Sequence, residues 1–174
     1  MYNGNTQTNA QSETEKIGRT LFLEEFGKHL NHIQFTEGYY DTTDLYCVMM
    51  DSNNMNHNIV ADIKAYRDME HPRPYAKVTP SGYKYDNYMI DLKKIMDIVI
   101  KSKEKINGEA MLFVFFSDRT LVWNFTDEYW RKIAQRSEPR LVNYDGRNYG
   151  QSKEWAMMTY LKREEAVYEN VYES

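Results

Sequence analysis

The chain has 174 residues, of which 41% are hydrophobic and 28% charged, and a formal net charge of −4. That balance suits one soluble globular domain and argues against a protein that coats nucleic acid through bulk positive charge. The single cysteine, Cys47, excludes an intrachain disulfide, and no apolar run reaches the roughly 20 residues of a membrane span.

The N-terminus, MYNGNTQTNAQ, is polar and lacks the apolar core of a signal peptide, so a cytoplasmic location is expected. Residues 1–11 are expected to be a disordered tail, with 12–174 forming a single domain. Ser12-Glu13-Thr14-Glu15 matches a capping box, Ser at the N-cap and Glu three positions on. The helix that it opens is predicted to run to about Leu30. Phe22, Phe26, Leu30 and Ile33 continue an apolar stripe. Phe35 to Tyr40 reads as a short strand interrupted by Gly38.

Next comes TDLYCVMMDSNNMNHNIVADIKAY, Thr43 to Tyr66. Two apolar runs, Leu45–Met50 and Ile59–Tyr66, flank a segment rich in Asn, Asp and Ser, which predicts a β-hairpin. Asp44 opens the first strand, and Asp41 is a turn residue just before it. The loop Arg67–Tyr85 contains Pro72, Pro74, Pro80 and Gly82. It interleaves Arg67, Arg73, Lys77 and Lys84 with Tyr75, Tyr83 and Tyr85. That mixture suits a surface that tracks a nucleic-acid backbone, charge for phosphate and rings for bases. It equally suits an ordinary solvated loop, since Asp68 and Glu70 dilute the charge.

A helix is predicted over about Asp86–Lys105, with Met89, Leu92, Ile95, Met96 and Val99 on its apolar side. Ala110 to Phe116, AMLFVFF, has the length and content of a strand buried on both faces. Leu121–Thr126 is the next strand. Thr126 or Asp127 caps a short helix holding Trp130. A second basic stretch follows, with Arg131, Lys132, Arg136, Arg140, Arg147 and Lys153 punctuated by Tyr144 and Tyr149. A strand at 155–161 and a short helix from Arg163 are preferred for the end of the chain, although Ser152 and Glu154 also suit a helix start.

The chemistry is concentrated in the hairpin. Strand side chains alternate faces, so Asp62 and Lys64 share a face with Val60 and Tyr66, while Ile59, Ala61, Ile63 and Ala65 form a core face. At about 3.4 Å per residue, Asp62 and Lys64 stand roughly 7 Å apart along the strand. Hairpin pairing brings Asp44 to the same edge. Two carboxylates there can hold a hard divalent cation, which prefers oxygen ligands.

Asp44 followed by Asp62-Ile63-Lys64 resembles the PD-(D/E)XK nuclease superfamily. Thr43 stands where the pattern's name puts proline. The predicted order of elements, over about residues 12–126, also follows that superfamily. The resemblance implies an α/β, restriction-endonuclease-like αβββαβ core, a mixed central sheet flanked by helices, with C-terminal additions. It implies a metal-dependent nuclease that hydrolyses DNA phosphodiester bonds with Mg²⁺ or Mn²⁺. Asp44 and Asp62 would bind the metal, the Ile63 carbonyl would add a ligand, and Lys64 would orient or activate water. Glu15 has two readings, the closing residue of the capping box or a further acidic group at the metal. Glu24 and Glu25 are its alternates. DNA is the expected partner, through Arg67, Arg73, Lys77, Lys84 and Tyr75; no membrane is expected, and a homo-oligomer is compatible with the sequence.

Other chemistries have weaker support. His29 and His32 have a usable spacing, but no cysteine or nearby aspartate completes a zinc set. Cys47 lies on the core-facing side of its strand, and no G-x-S-x-G is present. The alternative function is a nucleic-acid-binding or assembly protein that has the fold without catalysis.

Overall fold

The computed structural model describes residues 5–36, 44–143 and 153–172, and their side chains except those of 5–12, 77, 85 and 143. In chain order it contains α1 (Asn5–Phe26), β1 (Leu30–Phe35), β2 (Leu45–Met50), β3 (Asn56–Ala65), β4 (Lys77–Val78), β5 (Lys84–Tyr85) and β6 (Tyr88–Asp91). Then follow α2 (Leu92–Glu104), β7 (Glu109–Phe115), β8 (Arg119–Asn124), α3 (Asp127–Gln135), β9 (Glu138–Asn143), β10 (Lys153–Leu161) and β11 (Tyr168–Val171).

The central sheet has the order β1-β2-β3-β7-β8-β11. Every neighbouring pair is antiparallel except β3 and β7, which are parallel. Parallel neighbours cannot be joined by a tight turn. The crossover from β3 to β7 carries α2, which puts a helix on one face of the sheet.

Both faces of β7 are apolar, so both must be covered. On one face α1 sets Leu21, Phe22 and Phe26 against Leu45, Ile59, Ala61, Ile63, Phe113 and Phe115. Burying a side chain such as Phe113 contributes about 1.5–3 kcal/mol. Gly18 permits the close approach. A Cβ there would stand 3.0 Å from Ile63 Cγ2. On the other face α2 sets Ile95, Ile98 and Val99 against Val60, Leu112, Val114 and Trp123. A three-stranded sheet, β6-β10-β9, extends this second layer, contributing Tyr88, Ile90 and Leu161 to the same cluster. The result is a mixed α/β architecture with a mixed central sheet and three helices among the described residues. None of these helices is long and apolar enough to cross a membrane.

Several element boundaries differ from expectation. α1 begins at Asn5, so residues 5–11 are helical rather than a tail, and Ser12 lies inside the helix instead of capping it. The helix stops at Phe26, and one 3₁₀ turn, Gly27–His29, leads into β1 at Leu30. Leu30 and Ile33 therefore belong to a strand. Pairing with β2, where Ile33 lies opposite Cys47, outweighs the helical spacing. Residues 37–40 of the predicted first strand, and Asp41, lie outside the described residues. β2 has the predicted bounds, and β3 starts three residues early.

The predicted second helix loses its first turn. Residues 88–91 pair with β10 instead, and Asp91 caps α2 by accepting a hydrogen bond from the Lys93 N–H at 2.9 Å. Thr126 caps α3, as expected, by accepting from the Tyr129 N–H. The strand at 155–161 begins at Lys153, and the helix after it is a single turn, Arg163–Glu165. β9 and β11 have no counterpart among the predicted elements; their sequences, EPRLVN and YENV, carry no clean alternation.

Candidate active site

Pairing across the hairpin builds the site. Leu45 lies opposite Ala61, and the Asp44 N–H continues the ladder by donating to the Ala61 carbonyl at 3.0 Å. Leu45 and Ala61 face α1. Alternation then turns Asp44, Asp62 and Lys64 to the opposite face, toward α2. The Ile63 N–H donates to Asp44 Oδ2 at 2.7 Å, pinning that carboxyl over the strand. Asp44 and Asp62 are hydrogen-bonded to each other. Lys64 Nζ lies 3.4 Å from Asp62 Oδ2. From the first turn of α2, the exposed Lys94 comes close enough to Lys64 and Asp62 for their charges to act on one another.

The face opposite the predicted core face is covered as well. Val60 is fully buried under α2, and Asp62 is only 6% exposed. Tyr66 and Tyr88 wall the site, their hydroxyls 2.9 Å apart. The carboxylates therefore sit in a setting where charge is expensive unless compensated.

The titration behaviour follows from that setting. Burial, and then the hydrogen bond it donates to Asp62, push the Asp44 carboxyl up to about 8. Burial also opposes the charge on Asp62, but the Asp44 hydrogen bond and the Lys64 and Lys94 ammonium groups bring it below the usual carboxylate range. One proton is thus shared by the pair, held on Asp44. Burial likewise disfavours the Lys64 charge; the adjacent Asp62 and Asp44 overcome this and raise Lys64 above its ordinary value. Lys94 moves the other way, lowered first by the charge of Lys64 and then by burial.

The donor set fits a hard divalent cation. A shared proton between two carboxyls marks a place where one positive charge is already accommodated. Within a strand, a residue's C=O points to the same side as its N–H. The Ile63 carbonyl therefore points to the side on which its N–H meets Asp44, beyond the end of β2. Asp44, Asp62 and that carbonyl are oxygen ligands of the type Mg²⁺ and Mn²⁺ take. No group of three or more His, Cys, Asp or Glu side chains among the described residues is arranged to hold a metal ion, so a cation here would draw on backbone and solvent oxygens as well.

Other predicted site residues are placed elsewhere. Glu15 is exposed on α1, the helix covering the Ile63 face, and makes no hydrogen bond or ion pair with Asp44 or Asp62 among the described residues. Glu24 is exposed as well. Glu25 accepts hydrogen bonds from Thr120 at 2.8 Å and Tyr172 at 2.6 Å, far along the sheet at β8.

The loop expected to track a nucleic-acid backbone spends much of its chemistry inward. Tyr75 is 1% exposed, with its hydroxyl donating to the Asp86 carbonyl and accepting from the Arg163 N–H, so it has no ring to offer a base. Arg67 donates to the Phe116 carbonyl at 2.8 and 3.0 Å and stacks on Tyr172. Arg73 lies over Tyr66, Tyr88 and Phe116. These two arginines staple the loop to the core. Lys84 is exposed, and the Lys77 side chain lies outside the described residues. In the second basic stretch, Arg136 and Lys132 pair with Glu165, and Arg140 with Glu138. Tyr144, Arg147 and Tyr149 lie outside the described residues.

Lys93 and Lys94 are both exposed in the first turn of α2, and Lys94 is the one whose charge acts on Asp62 and Lys64. Comparison of the chain with protein-family models, with curated proteins and with solved structures finds no match to any of the three.

Proposed function

We propose that this protein is a metal-dependent nuclease that hydrolyses DNA phosphodiester bonds with Mg²⁺ or Mn²⁺. The observation that supports it most is the Asp44–Asp62 carboxyl pair beside Lys64, on the face of β3 next to its parallel partner β7. A mixed central sheet with α1 and α2 on opposite faces also supports the reading.

Asp44, Asp62 and the Ile63 carbonyl would hold the cation. Bound there, it supplies a water of lowered pKa and polarises a phosphoryl oxygen. Asp44 gives up its proton to make room for that charge, while Ile63 N–H keeps the carboxylate oriented. Lys64 stays protonated, because the two aspartates raise it. Its role is accordingly to donate hydrogen bonds to the phosphoryl oxygens and steady the charge that develops on them, not to take a proton from water. Lys94, lowered by its neighbour, is the amine of the pair that loses its proton more readily.

A second reading is a nucleic-acid-binding or assembly protein without catalysis. What favours it is that the carboxyls already satisfy each other through one proton, and that Asp62 is ion-paired to Lys64.

Cleavage of labelled linear and circular DNA with Mg²⁺ or Mn²⁺, wild type beside Asp62→Asn and Lys64→Ala, tests the choice. The expected result is metal-dependent cutting lost in both variants. The absence of cutting on duplex, single-stranded and branched substrates would leave the binding protein. Undiminished cutting by Asp62→Asn would remove this site from the chemistry.

A further inference from the structure

The face that carries Asp44 and Asp62 continues along the same three strands. Directly opposed residues of an antiparallel ladder share a face. Gln34 lies opposite Tyr46, and Tyr46 opposite Val60. His32 lies opposite Val48, and Val48 opposite Asn58. These are the next two rows of side chains beyond the Asp44–Asp62 row, each about 7 Å further along the strands. Of these residues Gln34, Tyr46, His32, Val48 and Asn58 line a cavity of about 400 Å³, closed at one side by Lys105 and Ile106 just after α2, while Val60 is buried out of it.

The cavity's size and lining are specific. Its volume lies in the range of small-molecule sites. Tyr46 is partly buried and packed against the α2-side core, so its ring is held in place rather than loose at the surface. Gln34 and Asn58 are exposed amides on either side of it. An aromatic platform flanked by amides suits a nucleobase, which stacks on the ring and is read at its edge. Lys105 adds an exposed cation at the rim for a phosphate.

We propose that this cavity is a nucleotide subsite. It takes the unpaired nucleotide next to the phosphodiester held at Asp44 and Asp62, with its base on Tyr46 and its edge at Gln34 and Asn58. Its place beside the scissile bond rests on the nuclease reading; its capacity to bind a nucleotide does not. An amide offers a donor and an acceptor side by side, the pattern adenine presents, so dAMP is the first mononucleotide probe.

The test is the binding of a fluorescein-labelled single-stranded DNA 12-mer, and competition by dAMP, in EDTA, where cleavage does not interfere. Tyr46→Ala is expected to weaken binding about 10-fold, the scale of one base–aromatic stack, and Tyr46→Phe to keep it. Because Tyr46 also packs on the core, Gln34→Ala provides an exposed second variant, expected to cost a few-fold in affinity and to erase the preference for dAMP over TMP. Wild-type affinity in both Tyr46→Ala and Gln34→Ala overturns the subsite, as does a wild type that binds neither probe. Plasmid nicking with Mn²⁺ tests the carboxylates separately. Nicking with no binding defect in the variants removes the subsite and leaves the nuclease. A binding defect in the variants without nicking by wild type keeps the subsite and removes the nuclease.

Discussion

The two ends of β3 carry charge clusters of similar make-up. At one end are Asp44, Asp62, Lys64 and Lys94. At the other, His57 joins Asp51, at 2.8 Å, and Glu109, at 2.7 Å. Each cluster has two carboxylates and at least one cation. They differ in solvent. His57, Asp51 and Glu109 keep 36–40% of their side-chain surface exposed, whereas Asp62 keeps 8%. In water the ion pairs merely adjust to one another. Asp51 moves down and His57 up, each chiefly through their mutual hydrogen bond. Under α2, desolvation forces the carboxyls to share a proton, and Asp44 holds it up to about 8. Buried charge is poised for chemistry or for a cation; exposed charge is structural trim.

The sharpest way to break that comparison is activity. Asp44→Asn and Asp62→Asn should each lower metal-dependent cleavage by at least about 10²–10³-fold, the scale of losing a preorganised electrostatic group. His57→Gln should leave it unchanged. Equal losses at both ends of the strand would mean that burial does not mark the functional cluster.

Stability separates the ends next. Asp62→Ala leaves Lys64 without its nearest carboxylate in a mostly buried position, at a cost on the order of 3 kcal/mol in urea unfolding. Asp62→Asn should cost clearly less, because it keeps the volume and a hydrogen-bonding group. A wild-type midpoint in both variants would show that the ion pair contributes nothing to the fold.

The pH dependence carries opposite signs on its two arms. Asp44 titrates at about 8 when folded and near 3.8 when unfolded. Between those values the folded state binds more protons, so its contribution to stability falls as pH rises toward 8. Asp62, with a lowered value, contributes stability above the ordinary carboxylate range and loses it in acid. Metal-free protein should therefore weaken from about pH 5 to 8, and Asp44→Asn should flatten that decline. Calorimetry with Mn²⁺ at pH 7 should record release of about one proton per cation, since the ligands must be deprotonated. Binding without proton release would show that the cation does not displace the shared proton.

Lys94→Gln is expected to have a smaller effect, about tenfold on cleavage, the range for a residue that supports ligands from outside. It also removes one of the charges that help hold Asp62 ionised, so the acidic limb of the pH–rate profile should move up. A changed rate with an unmoved profile would assign Lys94 to substrate contact instead.

The smallest effect belongs to His57. Its raised value means that the pairing stabilises fully below the unfolded histidine range and is lost as pH rises through the folded one. His57→Gln should lower the melting temperature by no more than about 3 °C near pH 5.5, and by nothing measurable at pH 9. A large loss at pH 9 would contradict an exposed, protonation-dependent pair.

Local pattern was enough for the central hairpin. The apolar run LYCVMM between polar residues set the bounds of β2, the run AMLFVFF predicted a strand buried on both faces, the period of two put Asp62 and Lys64 on one face, and hairpin pairing brought Asp44 to it. Local pattern failed where pairing overrides a periodicity. Leu30 and Ile33 stand three apart, the spacing of a helical stripe, and pairing with Met49 and Cys47, across a register shift between Leu30 and His32, makes them a strand instead. Tyr75 and Arg73 look like a binding loop in sequence because nothing in a linear chain shows that Phe116, Asp86 and Arg163 close over them.

The sequence by itself determined which side chains share a strand face, because alternation is a property of the extended backbone. It determined that Cys47 has no second cysteine within these residues to pair with and that β7 must be covered on both sides. Tertiary structure alone decided that α2 lies over the aspartates and that the Lys94 charge acts on them. It also decided that Glu15 stands on the opposite face and that Asp44 keeps a proton near neutrality. Those properties depend on desolvation and on distances between segments remote in sequence, and neither is a function of local composition.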